Sequence, residues 1–571
     1  MRRILPTLLL ACQALAASAA TTPEPASPPA FDLVLTPRLT AGVVSALDVE
    51  MRIAKPAVPA GETLLRMPTL IVSIPGARIE GDAIEVQDAA GEIALTVEDE
   101  PPLPHGNFRR WRVARATEGD VTVRYRALPR EVSAATRPGP LYDLRAEGGG
   151  LSAAGINFLA LPENELDWRV RLKWDLSAFG PGAIGIWSLG EGEVEAVAPM
   201  DRLAFSYYAA GPLRRYPAEG GGRFSMYWFG DPPFDTAAVA DQIRRMYEEA
   251  AAYFEDADSS YRIFVRKQPY ASGGGTALRQ SFMFGWHEGD PPTPDNLRGL
   301  LAHEITHNWP AMQGEHGETS WYSEGAAEYY SILFLYRAGL YTTAEFQDAI
   351  NRRASGYYTN SLQRLSNQEA AERFWSDGSA QRVPYGRGFM YLTAVDTAIR
   401  AKSGGARTLG DLVREMRKRQ LRDEPYGIEQ WLELLTAELG PQAKQDYEAM
   451  VAGRLQVPPA GSFGPCFRPE PRRERVFELG FDARAAGRVP GKITGLVAGS
   501  AAERAGLREG DEVQEAVFVG SSLVADETAT LTVKVLRDGE PLAVTFLPRG
   551  AEVDSWQWVR VPEVPESECM R

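Results

Sequence analysis

The chain has 571 residues, enough for about three or four domains rather than one core. Hydrophobic residues make up 44% and charged residues 24%, a balance that excludes wholesale disorder. The formal net charge of −15, from 76 acidic against 61 basic side chains, argues against nucleic acid as a main partner, because a duplex binder needs a basic face to release counterions. With only five His in the chain, any two at ligand spacing carry weight, and three Cys exclude a multi-cysteine metal or disulfide scaffold.

The chain opens on the pattern of an export signal. Met1-Arg2-Arg3 is a short basic segment, Ile4 to Ala17 is apolar except for Pro6, Thr7 and Gln13, and Ala17-Ser18-Ala19 offers a small-residue cleavage site. The stretch is too short to span a bilayer, and no later run of about 18 apolar residues exists, so no transmembrane segment is expected. Residues 1–20 therefore read as a signal, and the body as periplasmic or secreted. Removing Arg2 and Arg3 and no acidic residue takes −15 to −17 for that body. The alternative is a lipoprotein anchored at Cys12, because Leu9-Leu10-Ala11-Cys12 loosely resembles a lipobox; leucine two places before the cysteine fits it poorly. Residues 21–30, TTPEPASPPA, read as an extended Pro-rich tether.

Residues 31–225 read as β-structure. Leu47, Val49, Met51 and Ile53 alternate with Asp48, Glu50 and Arg52, the period-two pattern of a half-buried strand. Val121, Val123 and Tyr125 repeat it, as do Trp168, Val170, Leu172 and Trp174, with Gly- and Pro-rich turns between. An antiparallel, sandwich-like domain is expected. The period then changes. Val239, Ile243, Met246, Tyr247, Ala250 and Phe254 follow helical spacing, strand-like runs return at Tyr261–Lys267 and Ser281–Trp286, and residues 294 to about 456 are mainly helical. Pro458, Pro459, Gly461 and Gly464 mark a linker over 458–474, a small β-rich domain is expected over 475–550, and 551–571 reads as a tail.

One motif carries chemistry: His303-Glu304-Ile305-Thr306-His307, an HExxH sequence. Thr293 suits an N-cap, Pro294 the first helical position, and Leu297, Leu300 and Leu301 an apolar face, so a helix ending near His307 is expected. On it His303 and His307 lie one turn apart and can reach one ion, with Glu304 beside them. A zinc site needs a third protein ligand and one open position. Glu324 and Glu328, 17 and 21 residues after His307, share one helix face, with Ser320 or Thr319 to cap that helix and Gly339 beyond its end; spacing alone leaves both open.

HEITHNW followed by WYSEGAAEYY resembles the HExxH…WxxEG…Y pattern of gluzincin aminopeptidases, and residues 384–416 are similar to a downstream helix of the glycyl aminopeptidase family. The resemblance covers roughly residues 200–550 and implies a multidomain α+β chain: an N-terminal antiparallel β-domain, a thermolysin-like, mainly helical zinc peptidase domain over 226–457 and a C-terminal PDZ-like β-domain. It implies one Zn²⁺ on His303, His307 and Glu324, with Glu304 as general base toward the attacking water, and Tyr385 as the hydroxyl that stabilises the oxyanion. Glu328 is expected to orient a ligand His, with a ligand role as the minor alternative.

A departure stands beside the match. The family grips the substrate's free amine with a glutamate in a G-G-x-E-H-like strand; here Gly274 and Gly275 are present but the Glu-His pair reads Ala277-Leu278. The glycine-bearing strand edge can still bind extended substrate backbone, while a carboxylate such as Glu288 would have to replace the amine anchor. Exported zinc peptidase is thus the expectation, aminopeptidase-like by resemblance, with an endopeptidase or a weakly active scaffold as alternatives.

The end of the chain has its own signature. Leu479, Gly480 and Phe481 resemble the PDZ loop whose N–H groups hold a peptide C-terminal carboxylate, and residues 500–511 are similar to the helix and turn of bacterial PDZ domains. Only 17 residues separate Val513 from Leu531, with Gly520, Ser521 and Ser522 in their middle, so the helix that walls the peptide groove is expected to be short or missing. Cys466 precedes this domain and Cys569 follows it; because domain termini often lie close together and exported proteins meet oxidising conditions, a Cys466–Cys569 disulfide is expected.

Overall fold

A computed structural model describes residues 27–569, apart from 104–105, 137–138, 271–273, 290, 375, 488, 521–522, 525 and the side chain of residue 484. The expected export signal, Cys12 and the first six tether residues, 21–26, lie outside the described residues, as do Ser521 and Ser522. Among the described residues no helix is long and apolar enough to cross a membrane.

The N-terminal third forms sheets because alternate residues face inward. In the strand Val43–Ile53, Val44, Val49, Met51 and Ile53 are buried while Glu50 and Arg52 are exposed. The large sheet runs Val194–Pro199, Asp167–Trp174, Ala30–Thr40, Val43–Ile53, Val121–Leu128, Glu85–Asp88, Gly91–Glu92. Ala30–Thr40 and Asp167–Trp174 pair in parallel, so this sheet is mixed rather than purely antiparallel. Parallel neighbours need a long crossover, and the intervening strands supply it. A four-stranded sheet built around Thr63–Ile71 and Gly106–Val113 shares a core with it through Leu33, Met51, Trp111 and Trp168.

A third sheet, centred on Gly150–Ala154 and Tyr207–Gly211, is buried against the next domain, where Ile186 and Tyr207 share a core with Tyr227, Phe264 and Met283. That domain begins earlier than expected. Arg214–Tyr216 already pairs with Phe224–Trp228, so residue 225 lies inside a strand of the second domain's sheet and is not a boundary. The sheet continues through Tyr261–Lys267 and Ser281–Trp286, all parallel to Phe224–Trp228, to an antiparallel edge strand, Gly275–Leu278. Its inner strands are buried nearly throughout, as strands covered on both faces must be.

Helices α1 (Thr236–Tyr253) and α2 (Pro294–Thr306) pack on this sheet, and α3 (His316–Arg337), α4 (Thr343–Tyr358), α5 (Gly378–Ser403) and α6 (Leu409–Leu421) build the helical layer beyond them. Thr293 caps α2 by accepting from the Asn296 N–H at 3.2 Å, with Pro294 at the first position. Helix α3 starts four residues before Ser320, at His316 after Glu315, so neither Thr319 nor Ser320 caps it. The Thr319 hydroxyl instead bonds back to the Glu315 carbonyl at 3.1 Å, inside the helix.

The expected linker and tail are largely structured. Phe467–Phe477 and Arg549–Arg560 form one long antiparallel ribbon, so 467–474 is strand rather than linker and 551–560 strand rather than tail. The ribbon seats on α4: the Trp558 N–H donates to Asn351 at 2.7 Å, and Gln347 donates to the Trp558 carbonyl at 3.0 Å. Trp558 is fully buried there, the apolar burial that spacing of prolines and glycines did not signal. Between the ribbon strands sits a small unit with a four-stranded sheet and a core of Phe481, Ile493, Leu507, Val533 and Val535. Asp538 and Gly539, both at positive φ, turn its hairpin. Among the described residues between Val513 and Leu531, only Leu523 and Val524 are helical. A disulfide joins Cys466 to Cys569, whose Cα atoms are 5.1 Å apart.

Candidate metal centre and cleft

The last turn of α2 presents the two histidines. His303 Nε2 lies 3.3 Å from His307 Nε2, and both lie against one oxygen of Glu324 from α3, at 3.3 and 3.5 Å respectively. One ligand atom from each of the three residues falls within 4.8 Å of the other two. Two imidazole nitrogens and one carboxylate oxygen form the donor set that suits a catalytic zinc ion with an open fourth position. Glu328, one turn beyond Glu324, does not face this point: its Oε1 meets the opposite ring nitrogen, His303 Nδ1, at 3.2 Å. Its other oxygen pairs with Arg353 of α4.

The electrostatics are those of a cation site. Burial, the largest influence on His303, opposes its charge, but Glu324 and Glu328 outweigh it and push the imidazole up to about 10. Burial likewise raises Glu324, yet the two histidines outweigh it and hold the carboxyl well below its usual range; Arg353, with His303, does the same for Glu328. A metal ion entering here would displace a proton, so affinity should rise with pH. Tyr385 of α5 stacks on His303, with ring centroids 5.9 Å apart and planes 12° from parallel. Burial, then the charges of Glu324, Glu304 and Glu328, push its phenol far up, so it stays a protonated donor.

Glu304 and His307 open into a cavity of about 490 Å³, lined also by Ala277, Leu278 and Arg279 from the edge-strand side and Arg417 from α6. Ala277 is thus beside the centre. Gly274 and Gly275 are not part of that lining. A methyl group on Gly275 would lie 2.3 Å from the Phe282 ring and 2.4 Å from the Met283 carbonyl, so its glycine answers to packing against the neighbouring strand. The carbonyl of Thr276 is engaged by the Tyr207 hydroxyl at 3.0 Å, which leaves less of that strand edge free than expected. Glu288 is exposed and paired with Lys267, outside the cavity lining.

Leu479, Gly480 and Phe481 line a separate cleft of about 860 Å³ that also takes in Asp377, the N-cap of α5, and Arg382 of α5. Arg353, Arg279, Arg417 and Tyr261 come from different elements and carry no local motif that marks them, whereas Asn308 directly follows the HExxH sequence.

Residues 296–387 match a family model described as M61 glycyl aminopeptidase, a span that holds His303, Glu304, His307, Glu324, Glu328 and Tyr385. The fold is similar to an aminopeptidase N family protein from Idiomarina loihiensis, with a TM-score of 0.63 and 16% identity over 92% of this chain and 98% of that one. An M1 zinc metallopeptidase from Deinococcus radiodurans aligns with a TM-score of 0.48 and 19% identity over 76% of this chain and 94% of that one. No curated protein matches. The family match and the fold support a metallopeptidase.

Proposed function

We propose that the chain is an exported zinc peptidase that cleaves peptide bonds at the centre built by His303, His307 and Glu324. The observation that carries this reading is the convergence of those three donor atoms, within 4.8 Å of one another, with Glu304 beside them on the wall of an open cavity. A zinc ion held there would lower the pKa of a coordinated water toward neutrality and polarise the scissile carbonyl.

The chain's own groups do the rest. Glu304 takes the proton of the attacking water and passes it to the leaving amine. Tyr385, kept protonated, donates to the oxygen on which negative charge develops. Glu328, anchored by Arg353, accepts from His303 Nδ1 and so fixes the ring with Nε2 toward the metal point. Export is supported by the signal-like N-terminus and by the Cys466–Cys569 bond, since disulfides form and persist mostly in oxidising compartments. The small C-terminal unit is proposed as PDZ-like; among the described residues between Val513 and Leu531 only Leu523 and Val524 are helical, which argues for a reduced peptide groove.

A second reading concerns the mode of cleavage. Among the described residues lining the cavity, Glu304 is the one carboxylate, and Ala277 stands where an amine anchor is expected. That favours an endopeptidase over a strict aminopeptidase. Purified protein assayed with and without chelator on peptides with free and acetylated N-termini separates the readings. Metal-dependent cleavage of free N-termini alone supports the aminopeptidase, cleavage of both supports the endopeptidase, and no cleavage rejects the peptidase in favour of a scaffold.

A further inference from the structure

We propose that the cleft beside Glu304 reads a carboxylate carried by the substrate near the scissile bond, with Arg279 and Arg417 as the cations that receive it. This rests on the peptidase reading for the identity of the ligand as a peptide, and on independent observations for its charge.

Arg279 follows the edge strand Gly275–Leu278, in a turn where Gln280 has a φ of 58°. The turn is held from behind. Arg202, only 6% exposed, donates to the Arg279 carbonyl and to the Gln280 side-chain oxygen, both at 2.7 Å. Arg417 enters the same cavity from α6, with its guanidinium bonded to the neutral side chain of Gln420. Among the described residues neither Arg279 nor Arg417 forms an ion pair, in a chain whose net charge is −15. The two arginines repel each other: burial and then, against the favourable field of Asp256, the charge of Arg279 lower the pKa of Arg417. Asp256 is already an acceptor for the Trp309 indole and the Ser259 N–H, each at 2.9 Å.

Two further polar groups in the lining lack partners. The Tyr261 hydroxyl is buried, at 2% residue exposure, and bonds to nothing; the Asn308 side-chain nitrogen is likewise without an acceptor. Buried donors are usually paired, and these two line the cavity, where a ligand that accepts would satisfy them. Two guanidinium groups without ion-pair partners and two spare donors around one cavity favour an anion with several acceptor lone pairs. On a peptide that anion is a carboxylate, the planar partner that a guanidinium fork binds best. The same charge disfavours a substrate ammonium group at this spot, which agrees with the missing amine anchor. The carboxylate has two sources, an Asp or Glu side chain or the peptide's own C-terminus.

Binding of four dipeptides tests the idea on the full, zinc-supplied chain, with Glu304→Gln used so that no turnover intervenes: Gly-Glu, Gly-Gln and their C-terminal amides. Gly-Glu should bind at least about tenfold more tightly than Gly-Gln amide, equivalent to about 1.4 kcal/mol, and the advantage should shrink with added salt. An advantage kept in Gly-Glu amide assigns the side chain as the source. One that follows the free C-terminus whatever the side chain assigns the terminal carboxylate. Adding Arg279→Gln or Arg417→Gln should reduce the ratio, both together should bring it near one, and Arg417→Lys should retain part of it. Equal affinity for all four dipeptides, or a ratio unchanged in the double arginine variant, overturns the proposal. Peptide hydrolysis without carboxylate preference overturns only this inference; absence of metal-dependent hydrolysis overturns the peptidase reading, while these affinities still decide the anion site.

Discussion

Gly325 of α3 and Gly388 of α5 meet backbone to backbone. A methyl group on Gly325 would lie 2.4 Å from the Gly388 Cα, and one on Gly388 would lie 1.8 Å from the Trp321 carbonyl oxygen. No side chain fits at either position, and the close crossing brings Glu324 on one helix and Tyr385 on the other to the same point. Gly388→Ala should therefore push the helices apart, at an overpacking cost of about 1–3 kcal/mol. Thermal unfolding and zinc content should both fall; a variant with unchanged melting temperature and full zinc occupancy would show that the crossing has slack.

Glu304→Gln should remove at least about a hundredfold in kcat while zinc stays bound, because it deletes a base and no ligand. His303→Ala and Glu324→Ala should lose both activity and metal. Metal analysis beside turnover checks the split, and near-normal kcat in Glu304→Gln would refute the assigned mechanism.

Glu328 should act through His303 rather than on the ion. Glu328→Ala is expected to weaken zinc binding about tenfold or more, as loss of a ligand's hydrogen-bond partner does. Glu328→Gln keeps an acceptor at Nδ1 and should recover part of that loss. Zinc competition against a chelator measures both; if Glu328→Ala lost all zinc while Glu324→Ala kept it, the ligand assignment would be reversed.

Ala277→Glu should raise the preference for free over acetylated N-termini, since the position faces the cavity shared by Glu304 and His307. Arg279, two residues on, will compete for the new carboxylate, so a shift of about fivefold is expected, near 1 kcal/mol. Paired kcat/KM values on free and acetylated peptides are the check, and no shift would place the amine elsewhere.

Reducing the Cys466–Cys569 bond should destabilise the seat of the C-terminal ribbon. Both cysteines are buried in the main core, and they close a loop of 103 residues, for which chain entropy gives about 4–5 kcal/mol as an upper guide. Unfolding with and without reductant should differ accordingly, and peptide mapping that recovered both cysteines as free thiols from protein purified without reductant would remove the basis of the expectation.

Motifs with fixed local geometry were legible directly. An HExxH on a helix with Thr293 and Pro294 at its start needs only the 3.6-residue repeat to align His303 with His307, and Glu324 and Glu328 share a face for the same reason. Period-two alternation similarly exposed strands such as Val43–Ile53. Boundaries were less legible. Pro458, Pro459 and Gly461 marked a break in helix, but whether Phe467–Phe477 became linker or strand depended on a partner more than seventy residues away.

The sequence by itself determined the two histidines, the glutamate between them and the two candidate carboxylates, because helix geometry is local. Tertiary structure alone decided which carboxylate faces which nitrogen: α3 crosses α2 so that Glu324 meets both Nε2 atoms and Glu328 meets His303 Nδ1. It also decided that Arg279 and Arg417, 138 positions apart, share one cavity with Glu304. Charge and unpaired donors acquire meaning only once packing has fixed what lies within a few ångströms and how much water remains, and no spacing along the chain encodes that distance.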